Sequence, residues 1–324
     1  MRIVILGGAG FIGKKLVLKL LQRGRISLNG RPVEAFDRLV VFDKVKAAGL
    51  PDDSRLQVEE GDICDLDTIR ELLGNHTDLI FHLAAVVSGE AEKNFDLGMN
   101  VNLQASMQIL EYCRFMKKAP VLVFASSCAA YGGDPSKEVR DDTAPNPQSS
   151  YGTQKVMVDL LINDYSRRGF IEGRALRLPT IAVRPGKPNA ATTSFVSSII
   201  REPLQGQRAN CPVSPDVKLW ILSPDKVTDC FIHAAHIPAQ AFKSSRVVNL
   251  PGLTVTVKDM VDALEKAAGK EAVELIDWEP DAFLQSIVLT FPREFATGKA
   301  LALGFHGDRS LESIINAFIE EELK

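Results

Sequence analysis

"RIVILGGAGFIGKKLVLKLLQRG" (residues 2–24) is the stretch whose reading decides the fold. Its first five residues are a short apolar run that stops at glycine, as expected of a strand buried on both faces. From Phe11 onward apolar residues recur at helical spacing until Gly24, which predicts an amphipathic helix with a glycine stop. Between the two, Gly7, Gly10 and Gly13 stand three apart. Glycine permits a tight turn and lets backbone N–H groups approach a pyrophosphate, and the helix N-terminus adds partial positive charge. A plain glycine-rich turn would carry the same residues. Strand, glycine motif and helix in this order instead predict a dinucleotide site formed by Gly7, Gly10, Phe11, Ile12 and Gly13.

The same alternation continues outward. "RLVVFD" (38–43), "RLQVEEGD" (55–62), "DLIFHLAA" (78–85), "APVLVFASS" (119–127) and "GRALRLPTI" (173–181) read as further strands. Helical patterns fall between most of them, including a long one at about 90–117 and another at about 150–168. The segment 24–37 is a polar insertion with an Asn-Gly turn. Strands alternating with helices imply an α/β fold, a doubly wound parallel sheet of the Rossmann type. After about residue 180 the pattern loosens through "RPGKPNAATTSF", then short strands such as "VKLWILS" and "SRVVNL", and a final helix at about 310–323. The expectation is a Rossmann domain over 1–180 and, over 181–324, a smaller α/β substrate-binding region with some segments returning to the core. No internal repeat or low-complexity tract interrupts this plan.

Bulk properties narrow the partners. The 324 residues are 45% hydrophobic, enough for a large core, and the formal net charge is −3. No basic tract is present to neutralise a nucleic-acid backbone. The first apolar run is too short to span a membrane and no leader pattern precedes it, so a cytoplasmic protein without a membrane partner is expected. Five cysteines without a CxxC argue against a disulfide framework or a cysteine zinc site. His233 and His236, in "HAAH", lack a nearby carboxylate or cysteine to complete a ligand set and read as structural. No metal is expected.

Further candidates lie at the strand ends. Asp43 closes the second strand, where an acid accepts ribose hydroxyls and repels a 2′-phosphate. Its distance from the glycines exceeds the usual spacing of about 20 residues; the insertion at 24–37 accounts for the excess. Lys44 and Lys46 nearby could attract a phosphate, yet Asp43 favours NAD over NADP. Asp62 is placed to accept from an adenine amino group with Ile63 packing beside the ring, although either Asp62 or Asp65 could cap the next helix. Leu83, Ala84 and Ala85 leave the fourth strand near the phosphates, and His82 reads as an interior strand residue. "SSYGTQK" (149–155) puts Tyr151 and Lys155 one helical turn apart on one face. A tyrosine has an ordinary pKa of about 10, and a cation beside it favours the phenolate.

Together these residues resemble the extended short-chain dehydrogenase/reductase family, which includes nucleotide-sugar epimerases. "FASSCAAYGG" (124–133) is similar to that family's serine strand, with Ser127 at the catalytic serine, and "YGTQK" matches its Y-x-x-x-K. "NLQAS" (102–106) resembles N-[VL]-x-G-T with Ala105 and Ser106 as departures, so Asn102 is the aligned cofactor-side asparagine while Asn100 lies close. Leu6 stands where the family usually has threonine. A closer resemblance, to an NAD-dependent member acting on a four-carbon sugar acid, runs along essentially the whole chain. It is carried by blocks such as "FHLAAVVSGEAE" (81–92), "DYSRRGF" (164–170), "GRALRLPTIAVRPGKPNAA" (173–191) and "VVNLPGLTVTV" (247–257).

The resemblance implies Tyr151 as the base, Lys155 as the cation that lowers its pKa and holds the nicotinamide ribose, and Ser127 as the donor to the reacting oxygen. Pro179 would border the nicotinamide, or merely end its strand. Thr180 would face substrate. A short sugar acid needs a cation for its carboxylate and donors for its hydroxyls. Arg184 is the candidate fork, with Lys187 and Asn189 on the same loop and Ser88 and Glu90 after the fourth strand. In the family, helices equivalent to 90–117 and 150–168 pair across a two-fold axis, so a homodimer is expected. The rival readings are a nucleotide-sugar epimerase or dehydratase, and a non-catalytic NAD-binding protein; retention of Tyr151, Lys155 and Ser127 argues against the last.

Overall fold

The protein is described by a computed structural model covering residues 1–134, 137–186 and 191–323. Seven parallel strands form the main sheet: β1 (Arg2–Leu6), β2 (Arg38–Asp43), β3 (Leu56–Glu60), β4 (Leu79–His82), β5 (Val121–Ser127), β6 (Glu172–Leu178) and β7 (Val247–Asn249). Their order is β7-β6-β5-β4-β1-β2-β3. The chain builds outward from β1 to β3, then returns to lay β4 against the other side of β1. That reversal leaves a crevice at the carboxyl ends of β1 and β4, where doubly wound sheets bind ligands.

Side-chain alternation explains why these segments are strands. Ile3 and Ile5, Leu39 and Val41, Leu79 and Phe81, and Val121 and Val123 enter one buried cluster. Val4 and Leu6, Val40 and Phe42, Ile80, and Leu122 and Phe124 enter another on the opposite face. Period-two geometry turns one continuous apolar run into two cores, and helices cover both. On the first face α1 (Phe11–Arg23) packs against a helix formed by Pro224–His236. Lys19 of α1 pairs with Asp225 and Asp229 across that contact. On the second face lie α2 (Ala105–Arg114) and α3 (Ser150–Arg167).

Two sequence expectations change. The span 90–117 is not one long helix: Ser88–Lys93 and Phe95–Gly98 are short helices, Met99–Gln104 is a π-helical turn, and α2 begins only at Ala105. Asn94 breaks the run because its side chain accepts from Leu97 N–H and starts a new helix. The expected strand at 173–181 also divides. Pro179 separates β6 from Thr180–Ile181, which pairs instead with Lys218–Leu222 in a three-stranded sheet completed by Leu253–Thr256. A proline cannot donate to a ladder, so a strand can change sheets there.

The insertion at 24–37 is a small hairpin of Arg25–Ile26 and Glu34–Ala35, with Asn29 and Gly30 at positive φ. The C-terminal segments build their own apolar cluster around Val196, Ile199, Met260, Leu264 and Phe318. The final helix, Leu311–Glu322, starts at a capping box formed by Ser310 and Ser313.

Candidate active site

The glycine turn is held by backbone bonds that prolong the sheet. Gly7 N–H donates to Phe42 O (2.8 Å), and Ala84 N–H donates to Leu6 O (2.9 Å). Gly7 has φ +87°, and a Cβ there would lie 2.5 Å from Ala84 N, so only glycine lets the β1 and β4 exits come this close. Gly10 is the N-cap of α1 and provides no side-chain cap. The helix's first N–H groups are left for another partner. Asp43 Oδ2 accepts from Ala9 N–H (2.9 Å) and Oδ1 from Lys44 N–H (2.7 Å), which aims the carboxylate over this turn.

Beside the turn is a cavity of about 850 Å3. Gly7, Gly10, Asp43, Asp62, Ile63, Leu83, Ala84 and Ala85 contribute to its wall. A second cavity, of about 600 Å3, shares Leu83 and Ala85 with the first and extends past Phe11 and Ile12 to Ser127, Tyr151 and Lys155. The two form one cleft along the carboxyl end of the sheet. A dinucleotide fits its donor set: an uncapped helix N-terminus for phosphates, a carboxylate for ribose hydroxyls, and a buried ammonium further along.

The tyrosine reaches the serine because α3 begins hard against the turn that follows β5. Ser149 caps α3 by accepting from Gly152 N–H (3.1 Å), and Glu92 Oε2 accepts from Ser150 N–H (3.0 Å). A Cβ on Gly152 would sit 2.2 Å from Ala129 O, so the glycine inside "YGTQK" sets that approach. Ser127 ends β5, accepts from Ala129 N–H (3.1 Å) and lines the same cavity as Tyr151. Lys155 Nζ lies 5.5 Å from the centre of the Tyr151 ring and 4.5 Å from that of Phe124.

Burial dominates the electrostatics. It pushes the Tyr151 hydroxyl up to about 12, helped by Cys128, and the Ser127 side chain pulls the other way. It pulls Lys155 down to about 7, against the attraction of Asp159. Among the described residues Lys155 donates no hydrogen bond, so its donors face the cleft unspent. His82, fully buried beneath Phe124, is held down to about 3 by burial and then by Lys155, and is neutral; one ring nitrogen meets Ser106 Oγ (2.9 Å). A neutral imidazole locked in this way is a poor proton carrier near neutral pH.

The far end of the cleft is lined by Ser88, Pro179, Thr180 and Arg184. Arg184 Nε donates to Ser197 Oγ (3.2 Å), and its guanidinium lies 5.9 Å from the Phe11 ring centre. Burial and then Arg201 lower it to about 10, which leaves it cationic at neutral pH. It forms no ion pair among the described residues.

Several anticipated residues sit elsewhere. Asn102 is not in the cleft wall: it is buried, accepts from Val86 N–H (2.8 Å) and donates to Val86 O and Gln154 Oε1, so its polar atoms are spent on joining the β4 exit to α3. Asn100 lines the first cavity instead. Gly13 packs against Gly7 and Gly8 without reaching the cleft. Glu90, on the same short helix as Ser88, is not in the cavity wall; Glu92, one turn from Ser88, is. Asp65, not Asp62, caps the helix Leu66–Leu73. Lys187 and Asn189 lie outside the described residues. His233 Nε2 meets Leu303 O (2.8 Å) and its ring packs on Phe305, away from this cleft.

Sequence reading missed Thr192 and Thr193, and also Phe283, Ile287 and Phe291 from the C-terminal region, all of which line the catalytic side. No motif marks any of the five; Phe283, Ile287 and Phe291 share an apolar spacing on the helix Ala282–Val288 and the turn after it.

Residues 3–221 match the model of the NAD dependent epimerase/dehydratase family. The chain belongs to that family. Among its relatives, D-erythronate dehydrogenase of Cupriavidus necator is 50% identical over 99% of this chain and 98% of its own length. D-erythronate dehydrogenase of Haemophilus influenzae is 43% identical over the full length of both. Among solved structures, the nucleoside-diphosphate-sugar epimerase from Agrobacterium tumefaciens has a TM-score of 0.92 at 38% identity, covering 100% of this chain and 94% of that one. The expected doubly wound α/β fold is therefore borne out in both the sheet order and the family's solved members. No helix among the described residues is long and apolar enough to cross a membrane.

Proposed function

We propose that this family member is an NAD-dependent dehydrogenase that oxidises the C2 hydroxyl of D-erythronate to 2-dehydro-D-erythronate. The observation that carries the reading is the meeting of Ser127, Tyr151 and Lys155 at one end of the glycine-turn cleft, in a chain related over its whole length to two D-erythronate dehydrogenases. In this reading residues 1–180 hold the cofactor and 181–324 mainly form the substrate side. Asp43 selects NAD by accepting from ribose hydroxyls. NAD, when bound, supplies the acceptor for the hydride that leaves C2.

Tyr151 takes the proton of the substrate hydroxyl as its C–H bond breaks, and Ser127 donates to the reacting oxygen and fixes its position. Lys155 uses its unspent donors on the nicotinamide ribose and contributes positive charge near Tyr151. Because burial, helped by Cys128, holds Tyr151 near 12, this charge and that of the oxidised nicotinamide are needed to make the phenolate accessible. Arg184 meets the substrate carboxylate, with Ser88 and Thr180 as hydroxyl partners. Ile287 and Phe291 give the cavity an apolar side opposite these polar groups.

A homodimer is part of the same proposal. Met107 of α2 and Leu160 of α3 are 44% and 62% exposed, and Phe95 and Phe115 nearby are 57% and 71% exposed. These apolar groups on neighbouring helices suit a two-fold contact between copies.

Epimerisation of a nucleoside-diphosphate sugar is the second reading, favoured by the name of the Agrobacterium tumefaciens protein. A panel of C4 and C5 sugar acids and nucleoside-diphosphate sugars, each with NAD+ and read by NADH absorbance, separates them. Dehydrogenation gives stoichiometric NADH from D-erythronate. Epimerisation gives none and converts a nucleotide sugar instead.

A further inference from the structure

One helical turn beyond Lys155 stands Asp159, with 1% of its surface exposed. The two share a face of α3 with Tyr151, each four residues from the next. Asp159 Oδ2 accepts from Arg177 Nε (2.9 Å). Arg177, on β6, also donates from Nη1 to Tyr131 Oη (2.6 Å), and the Tyr131 hydroxyl donates to Asn249 Oδ1 on β7 (3.0 Å). Two strands and the turn after β5 thus hold one carboxylate in place behind the cleft.

A buried ion pair by itself gives little stability and is often replaceable by apolar side chains. This one also carries a further cost: Asp159 Oδ1 and the neighbouring Ser126 Oγ both lack an aligned hydrogen-bond partner. What the pair can do is visible from the groups around Lys155. His82 faces it from β4 and is neutral. Phe124, Ser127 and Cys128 face it from β5 and its exit, and burial raises the Cys128 thiol to about 11, so it is uncharged at neutral pH. Tyr151 and Asp159 come from its own helix, and Arg177 stands beyond Asp159 on β6. Among the described residues Asp159 is the carboxylate whose charge favours the protonated form of Lys155, from one helical turn away and without a direct ion pair between the two.

We propose that Asp159, fixed by Arg177 and the Tyr131–Asn249 pair, is a positioning residue whose carboxylate favours the charged form of Lys155 beside Tyr151. The proposal rests on the Tyr151–Lys155 reading for its consequence in catalysis, but the charge of Lys155 can be measured without turnover. Burial pulls Lys155 down and the Asp159 carboxylate is what pushes it back up. Burial is the larger effect on Asp159 and holds its carboxyl above the usual carboxylate range, and Arg177 is the main charge that opposes it. Loss of the Asp159 charge lets Lys155 shed its proton at lower pH.

The test is a pH titration of the full chain with lysines labelled by 13C at Cε, whose chemical shift reports Nζ protonation. Lys155→Met assigns the resonance. In Asp159→Asn the resonance should titrate about one pH unit lower than in the unaltered protein, a tenfold loss of protonated lysine at a given pH. Asp159→Glu keeps the charge and should stay near the unaltered value. If Asp159→Asn does not fold, Asp159→Asn/Arg177→Met removes the pair together and should shift the resonance the same way. Superimposable titrations in the charged and uncharged variants would overturn the proposal, as would a larger shift in Glu than in Asn. With substrate, the alkaline fall of kcat/KM should move to lower pH in Asp159→Asn and return in Asp159→Glu; an unmoved alkaline limb would overturn the catalytic role. Absence of NADH formation by the unaltered protein would instead reject the dehydrogenase reading and leave the lysine titration as a separate result for or against the Asp159 proposal.

Discussion

Tyr151 and Lys155 enter the site with opposite handicaps, since burial disfavours the charged form of each. The proposed roles of Tyr151 as base and Lys155 as cation therefore depend on what the cleft holds. Two neighbouring charges make the dependence testable. Asp43 is already oriented by two backbone N–H groups, so Asp43→Ala should leave the sheet intact, weaken NAD binding and narrow the preference over NADP. Titration with both cofactors checks it; an unchanged NAD/NADP ratio contradicts it. Arg184 is cationic, lines the second cavity and has no carboxylate partner among the described residues. Arg184→Ala should raise KM for D-erythronate and lower kcat, while NAD affinity stays near normal. Arg184→Lys should restore only part of the activity, because an ammonium lacks the planar two-pronged contact. Steady-state kinetics with D-erythronate read both variants, and unaltered kinetics in Arg184→Ala would place the carboxylate elsewhere.

Between β1 and α1 a single turn carries the approach of β4, which makes Gly7 the most exposed point of the design to mutation. Gly7→Ala meets both a positive φ and backbone atoms 2.5–2.9 Å away. It should lower stability by roughly 2 kcal/mol or more and abolish NAD binding. Thermal unfolding with and without NAD measures this, and a normal NAD-induced rise in Tm would contradict it. This strand–turn–helix was legible in the sequence because every local signal agrees: a buried run, spaced glycines and a glycine stop at Gly24. The break at 88–114 was not, because the residues there keep a helical composition while Asn94 and Asn102 spend their side chains on backbone groups. The β6 exit was misread for a similar reason: Pro179 looks like an interruption of one strand, and only the partner Lys218–Leu222 reveals a change of sheet. Ser127, Tyr151 and Lys155 could be found by motif. Phe283, Ile287 and Phe291 could not, since long-range packing alone carries them to the cleft.

The seven-stranded sheet opens its cleft at the carboxyl ends of its strands, while α2 and α3 lie on one of its faces. If Leu160 lies in the two-fold contact, Leu160→Glu should yield monomers in analytical ultracentrifugation with Tm lowered only by the lost association. A monomeric unaltered protein would contradict the dimer. The central claim concerns the reaction and is tested most directly by one paired assay: NADH absorbance from NAD+ and D-erythronate, with the unaltered protein, Tyr151→Phe and Ser127→Ala, alongside NAD binding by each. The account predicts NADH from the unaltered protein, none above background from Tyr151→Phe, and a loss of about 10²–10³ in Ser127→Ala. NAD binding should be nearly equal in all three. NADH formation by Tyr151→Phe at the unaltered rate, or none by the unaltered protein at any D-erythronate concentration, would contradict it.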